Sequence, residues 1–93
     1  MVGLLLLISY DLNRHERPRA YDEIRQLIES NAIDSRRPLY SQWFVQTNEL
    51  PDAWSDRISE VADEDDNWFV VQVQRPYQGW LDHDLWTWLA ERL

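Results

Sequence analysis

Leu4-Leu5-Leu6-Leu7-Ile8 runs directly into Ser9-Tyr10-Asp11-Leu12-Asn13, and this stretch constrains the fold more than any other in the chain. Five consecutive apolar residues leave no side chain suited to water, so residues 3–11 read as a strand buried on both faces. Asp11 then stands where the strand leaves the sheet. An acid in that place can bind a metal, cap a turn or pair with an arginine. Which of these it does decides whether the chain is an enzyme.

With 93 residues there is room for one compact domain spanning 1–93. Six Trp, four Tyr and two Phe supply large apolar bodies for a core that needs no staples. Cys is absent, which removes disulfides, thiolate metal sites and cysteine nucleophiles together. The apolar N-terminal run is too short to cross a membrane. It also lacks the basic region and small-residue cleavage site of a signal peptide, so a soluble, cytoplasmic protein is expected.

The charge is unevenly distributed. Every fixed positive charge is an Arg, and the formal net charge is -8. Arginines and acids balance over residues 1–47, whereas residues 48–93 are dominated by acids and carry only Arg57, Arg75 and Arg92. An acidic chain attracts nucleic acid poorly, because backbone affinity comes from Lys and Arg displacing counterions. The local set Arg14, Arg17, Arg19, Arg25, Arg36 and Arg37 keeps a polyanion partner in play, against the plainer reading that these residues pair with nearby acids or solvent.

Tyr21, Ile24, Leu27 and Ile28 repeat at helical spacing and predict a helix over 19–30, with Asn31 as its stop. Residues 37–40 read as a short strand that Pro38 confines to a sheet edge. Gln42–Thr47 alternates, with Trp43 and Val45 facing one way and Gln42, Phe44 and Gln46 the other. A tight connection at Tyr40-Ser41 makes the two a hairpin. Pro51 and Asp52 mark a helix start, and Trp54, Ile58 and Val61 give it a core stripe. After the acidic turn Asp63–Asp66, residues 68–74 form a strand with Phe69, Val71 and Val73 on one side. A last helix is expected over 82–92, with Leu85, Trp86, Trp88 and Leu89 as its apolar side.

The order is β-α-β-β-α-β with an added C-terminal helix. This is an α+β, ferredoxin-like pattern: an antiparallel sheet with two helices on one face and its first and third strands central. Because the first strand is apolar on both faces, the side opposite the helices must also be covered. Either the Trp-rich C-terminal helix or a second copy of the chain can cover it, and a homodimer with the tail helix contributing is the expectation.

Ile8-Ser9-Tyr10-Asp11-Leu12-Asn13, Tyr21 opening a helix, Ser41-Gln42-Trp43-Phe44-Val45-Gln46-Thr47, and Trp68-Phe69-Val70-Val71 after an acidic turn together resemble the superfamily of CRISPR-associated protein two. The likeness covers residues 4–76 and is to its small stand-alone relatives, near the virulence-associated protein D ribonucleases. Gly79-Trp80 and the tail helix also look like the stand-alone branch. The resemblance implies a ferredoxin-like homodimer in which the aspartate ending the first strand, here Asp11, comes from both protomers to face a shared cleft and hold a divalent metal. Tyr10 and Asp11 match that motif and are the catalytic candidates. Ser41 and Phe44 stand near a serine and an aromatic of the third strand. Arg14, Arg17 and Arg19 stand for the basic residues that would contact nucleic acid. Some members of the superfamily cut RNA or DNA, and others are structural adaptors. A Mg²⁺-dependent endonuclease is thus one expectation, and a non-catalytic dimeric adaptor that binds a protein partner is the other.

Two symmetric Asp11 carboxylates can hold one Mg²⁺, which keeps most of its waters and can offer one to a phosphodiester. The plain alternative is an exposed acid bonded by the following turn or by an arginine of the 14–19 loop. The run Asp63-Glu64-Asp65-Asp66 is a weaker prospect, since consecutive side chains diverge, and the Gly and Glu of a calcium loop are missing. His83 between Asp82 and Asp84 reads as part of a helix start. His15 lies close enough in sequence to assist Asp11 as acid or base, although loop histidines are commonly just exposed. Trp80, Trp86 and Trp88 sit among acids, which suits packing better than base stacking. Only Gly3 and Gly79 are present, so no glycine-rich phosphate loop can form.

Overall fold

The structure, a computed structural model, describes residues 3–12 and 18–93. The described elements run β1 (Leu4–Asp11), α1 (Pro18–Asn31), β2 (Asp34–Leu39), β3 (Gln42–Thr47), α2 (Pro51–Ser59), β4 (Asn67–Gln72) and α3 (His83–Arg92). The sheet order is β2-β3-β1-β4, with each neighbouring pair antiparallel. The apolar opening strand is therefore central, as its composition requires, and the fold is the ferredoxin-like α+β arrangement with an extra helix. No described helix is long and apolar enough to cross a membrane.

Alternation along β1 serves two cores. Leu6, Ile8 and Tyr10 point to the helix side, where they pack with Ile24 and Ile28 of α1, Trp43 and Val45 of β3, and Trp54 and Ile58 of α2. Leu5 points the other way and is buried with Trp88 and Leu89 of α3. The indole N–H groups in these cores are satisfied. Trp54 Nε1 donates to Thr47 Oγ1 at 3.1 Å, Trp43 Nε1 to the Tyr10 hydroxyl at 3.2 Å, and Trp68 Nε1 to Ser55 Oγ at 2.9 Å. A buried indole without such a partner would lose much of its packing gain.

Helix ends follow local chemistry. Asn31 closes α1 by donating from Nδ2 to the Leu27 carbonyl at 2.7 Å. Pro51 starts α2 without a side-chain cap, and Asp52 lies in its first turn. Arg57 grips Glu49 with two bonds of 2.7 Å, which ties α2 to the end of β3.

Two strand boundaries differ from the sequence expectation. The edge strand β2 starts at Asp34, not residue 37, because Asp34, Ser35 and Arg36 pair with Gln46, Val45 and Phe44 despite their polar composition. An edge strand tolerates such residues. The register shifts by one between Arg36 and Leu39, so Pro38 lies in an irregularity where its missing N–H costs no ladder bond. The β4 ladder ends at Gln72, one bond short of its last contact: Val73 N–H still donates to the Leu5 carbonyl at 2.8 Å.

α3 is fixed to the sheet by one carboxylate. Asp34 Oδ2 accepts from Trp88 Nε1 and from Arg92 Nη2, each at 3.0 Å, while Oδ1 accepts from Arg36 at 2.8 Å. Arg92 also donates to Gln46 at 3.0 Å and lies 4.0 Å over the Trp88 ring. Hydrogen bonding from Trp88 is the main cause holding the Asp34 carboxyl below its ordinary value, with Ser35 N–H and Arg36 adding to it.

Candidate functional site at the end of the central strand

Leu5, Leu7, Ser9 and Asp11 share the face of β1 opposite α1 and α2, since side chains alternate along a strand. Register extends that face sideways: Leu7 lies between Phe44 and Val71, Ser9 between Gln42 and Phe69, and Asp11 beside Asn67. α3 covers only the Leu5 end. Toward Asp11 the face is open, with Phe69 65% and Val71 37% exposed.

An open depression of about 370 Å³ lies at that end, lined by Ser9, Tyr10, Asp11, Ser41, Asn67, Trp68 and Phe69. Asp11 is exposed. Among the described residues, no hydrogen bond or ion pair reaches its carboxylate. Ser41 is held in place by the sheet, because its carbonyl accepts the Tyr10 N–H at 3.1 Å. Ser9 Oγ accepts from Gln42 Nε2 at 3.3 Å.

Tyr10 and Asp11 project to opposite faces of β1. The Tyr10 hydroxyl is buried, accepts the Trp43 indole N–H, and has Tyr21 at a ring separation of 5.7 Å. Burial pushes this phenol above its ordinary value, while the Trp43 bond and the charge of Arg37 pull the other way. Its surroundings are those of a core tyrosine. Arg14, Arg17 and His15 lie outside the described residues. Arg19 is exposed in the first turn of α1. His83 opens α3 beside Arg36, Asp84, Thr87, Trp88 and Glu91, on the half of the sheet away from Asp11. In the acidic run, Asp66 turns inward and its Oδ2 accepts the Asp63 N–H at 2.8 Å, which closes the turn.

The donor set at Asp11 is made of hard oxygens: one carboxylate, two serine hydroxyls and an asparagine amide. Those groups suit Mg²⁺, which binds one or two carboxylates and keeps several waters. Among the described residues no group of three or more His, Asp or Glu side chains is placed to hold a metal ion. The described residues of one chain thus offer one carboxylate here. Ser9 and Asn67 were not singled out from sequence, yet the signal was present for Ser9, which stands two residues before Asp11 on the same strand face.

No protein-family model matches the chain, and no curated protein matches its sequence. A search of solved structures finds the crystal structure of Cas2 from Streptococcus pyogenes, determined at pH 6.5. The two superpose with a TM-score of 0.57 at 19% identity, over 77% of this chain and 88% of that one. The fold is Cas2-like. At that identity the likeness speaks to architecture alone. In this chain the first strand lies in mid-sheet and its last residue, Asp11, stands at a sheet end.

Proposed function

We propose that the chain is a homodimeric, Mg²⁺-dependent endonuclease whose two Asp11 carboxylates face one cleft. The observation that carries this reading is the position of Asp11: exposed, at the end of the central strand, on the one part of the sheet that α3 leaves bare. Phe69 and Val71 beside it form an apolar surface that a second copy would bury. A two-fold contact across this surface pairs like with like and would bring a second Asp11 to the same cleft.

Asp11, with Ser9, Ser41 and Asn67 around it, would hold the ion, which when bound supplies an activated water and charge neutralisation for a phosphodiester. The remaining work falls to the chain. The Asp11 carboxylate is placed by the ladder between β1 and β4, Ser9 Oγ is bonded by Gln42, and Phe69 would be buried beside them only in the proposed dimer. Tyr10 acts through position: its bond with Trp43 holds the end of β1 against the core.

The second reading is a dimeric adaptor that binds a protein partner. It takes support from the chemistry of the depression, where Asp11 is the only described residue besides buried Tyr10 that can titrate. One experiment separates the two. Wild type and Asp11→Ala are incubated with labelled RNA and DNA in Mg²⁺, Mn²⁺ or chelator. Metal-dependent cleavage that disappears in the variant is expected; intact substrates in every wild-type reaction, or a variant that cuts equally well, would leave the adaptor reading standing.

A further inference from the structure

The indole N–H groups of this chain fall into two sets. Those of Trp43, Trp54, Trp68 and Trp88 each donate to a side chain. Those of Trp80, between β4 and α3, and Trp86, near the start of α3, meet no acceptor among the described residues. Trp80 is 99% exposed. Trp86 is half-buried, but among the described residues no buried polar side-chain atom lacks a partner, so its N–H reaches solvent.

Trp86 lines a hollow of about 350 Å³ together with Arg75, Pro76, Tyr77 and Gln78. Gly79 brings Trp80 to its rim: a Cβ there would stand 4.0 Å from Trp86 Cη2, so the backbone passes close to that ring. Stacking on Tyr77 is not what the hollow offers. The Tyr77 and Trp86 rings lie nearly parallel with centroids 6.1 Å apart, and the Arg75 guanidinium is 5.7 Å from the Tyr77 ring. The hollow offers donors. Gln78 uses its oxygen to accept the Gly79 N–H at 2.9 Å, which leaves its amide N–H groups. Arg75 Nε donates to the backbone oxygen of Leu93 at 3.1 Å, and its guanidinium meets no acidic side chain among the described residues. With the Trp86 indole, these uncommitted side-chain groups are all donors, and the Tyr77 hydroxyl alone can also accept.

Aromatic carbon with donors and few acceptors fits a ligand that carries carbonyl oxygens and few N–H groups. A proline-rich segment has that chemistry: each proline lacks an N–H, and the polyproline II helix leaves its carbonyls without internal bonds. Such segments dock on aromatic-lined grooves in a conformation they already hold. The unpaired Arg75 favours a segment with an acid at one end. A strand adding to a sheet edge would need acceptors as well as donors. This chain carries no proline-rich segment of its own, since Pro18, Pro38, Pro51 and Pro76 stand far apart.

We propose that the hollow beside Tyr77 and Trp86 binds a proline-rich segment of another protein. An acidic residue of the segment meets Arg75, the Trp86 and Gln78 N–H groups donate to its carbonyls, and Trp80 packs on its prolines. The inference goes beyond the endonuclease reading and uses none of the residues around Asp11.

Binding is measured by fluorescence anisotropy with three labelled peptides: two Pro-x-x-Pro turns ending in glutamate, the same turns ending in lysine, and the glutamate form with every proline replaced by alanine. Unlabelled U-rich RNA and T-rich DNA single strands serve as competitors. Wild type is expected to bind the glutamate-ended proline peptide in preference to both others. Trp86→Phe keeps a ring and removes the N–H, and should weaken binding about fivefold, the loss of one hydrogen bond. Trp80→Ala should weaken it about tenfold, as for an aromatic anchor, with the circular dichroism melt in place because the side chain is exposed. Arg75→Glu should reverse the charge preference, so that the lysine-ended peptide binds better. Wild type that binds no peptide or binds the alanine form equally well would overturn the proposal. So would Trp80→Ala and Trp86→Phe chains that bind normally, an unchanged preference in Arg75→Glu, or displacement of the peptide by a nucleic-acid strand. Asp11→Ala separates this inference from the endonuclease reading: it should bind the peptide as wild type does, whatever the cleavage assay shows.

Discussion

Under α3, the row made by Asp34, Gln46 and Leu5 is sealed by Trp88 and Leu89 and secured by the Asp34–Arg92 pair. Two rungs further along the same face, the row of Gln42, Ser9 and Phe69 has none of the described helices above it, and Phe69 is largely exposed. The same sheet thus carries one half finished within the chain and one half left open. The ladder between β2 and β3 shifts register toward the open half, and the side chains differ as well: the closed half carries Asp34, whose carboxylate fastens the helix through an indole and a guanidinium.

The largest expected effect breaks the closed half. Trp88→Ala removes a buried indole, its bond to Asp34 and the surface on which Arg92 rests, and should lower stability by about 3–5 kcal/mol. Denaturant titration checks this. A loss of no more than about 0.5 kcal/mol, the range of ordinary surface substitutions, would mean that α3 is not anchored as described.

The next breaks the open half. Phe69→Glu adds a charge to a side chain that is already exposed, so it should leave the melt of the isolated protomer within about 0.5 kcal/mol. On the homodimer reading, however, it puts two unpaired carboxylates into the contact, and sedimentation should show a dimer becoming a monomer. A wild type that sediments as a monomer would remove the dimer, and with it the shared cleft.

These halves were unequally visible in the sequence. The five apolar residues of β1 required cover on both sides, and the alternation from Gln42 to Thr47 gave both faces of β3. Phe69, Val71 and Val73 were rightly placed on one side of β4, yet nothing local says that Val73 meets α3 while Phe69 stays exposed. That division is set by Asp34 and Arg92, which are 58 residues apart and read separately as ordinary surface charges. β2 was read too short for a related reason, since Asp34-Ser35-Arg36 lacks strand composition and is extended only because β3 offers it an edge. At the site, Asp11 was legible as an acid at a strand end. Tyr10 was less so: a motif places it beside Asp11 in sequence, whereas the pleat sends its side chain to the opposite face.

Acid should weaken the closed half before the open one. The Asp34 carboxyl titrates below its ordinary value in the folded chain, so its charged form contributes stability that is complete above the unfolded carboxylate range and is lost as pH falls through the lower folded value. Asp34→Asn keeps an oxygen for the Trp88 N–H and removes the charge. The difference between wild type and variant should be about 1 kcal/mol at neutral pH, allowing for a partly exposed group, and should shrink below about pH 4. A difference that stays constant down to pH 2 would show that the charge is not what fastens α3.

The smallest effect sharpens the comparison most. Ser9 stands on the same strand face as Leu5, four residues on, and its hydroxyl makes a long bond of 3.3 Å to Gln42. Its removal in Ser9→Ala leaves Gln42 at the edge of an open depression, where water can replace the lost partner, so stability should change by no more than about 0.5 kcal/mol. If the oxygen set around Asp11 holds a divalent ion, the same substitution should weaken Mn²⁺ binding severalfold in a calorimetric titration while the melt stays in place. The two readouts answer separate questions. Unchanged metal binding would confine the ion to the carboxylates. A stability loss of about 2 kcal/mol or more, the size expected when a buried bond is broken, would mean that this half of the face is as closed as the half beneath α3.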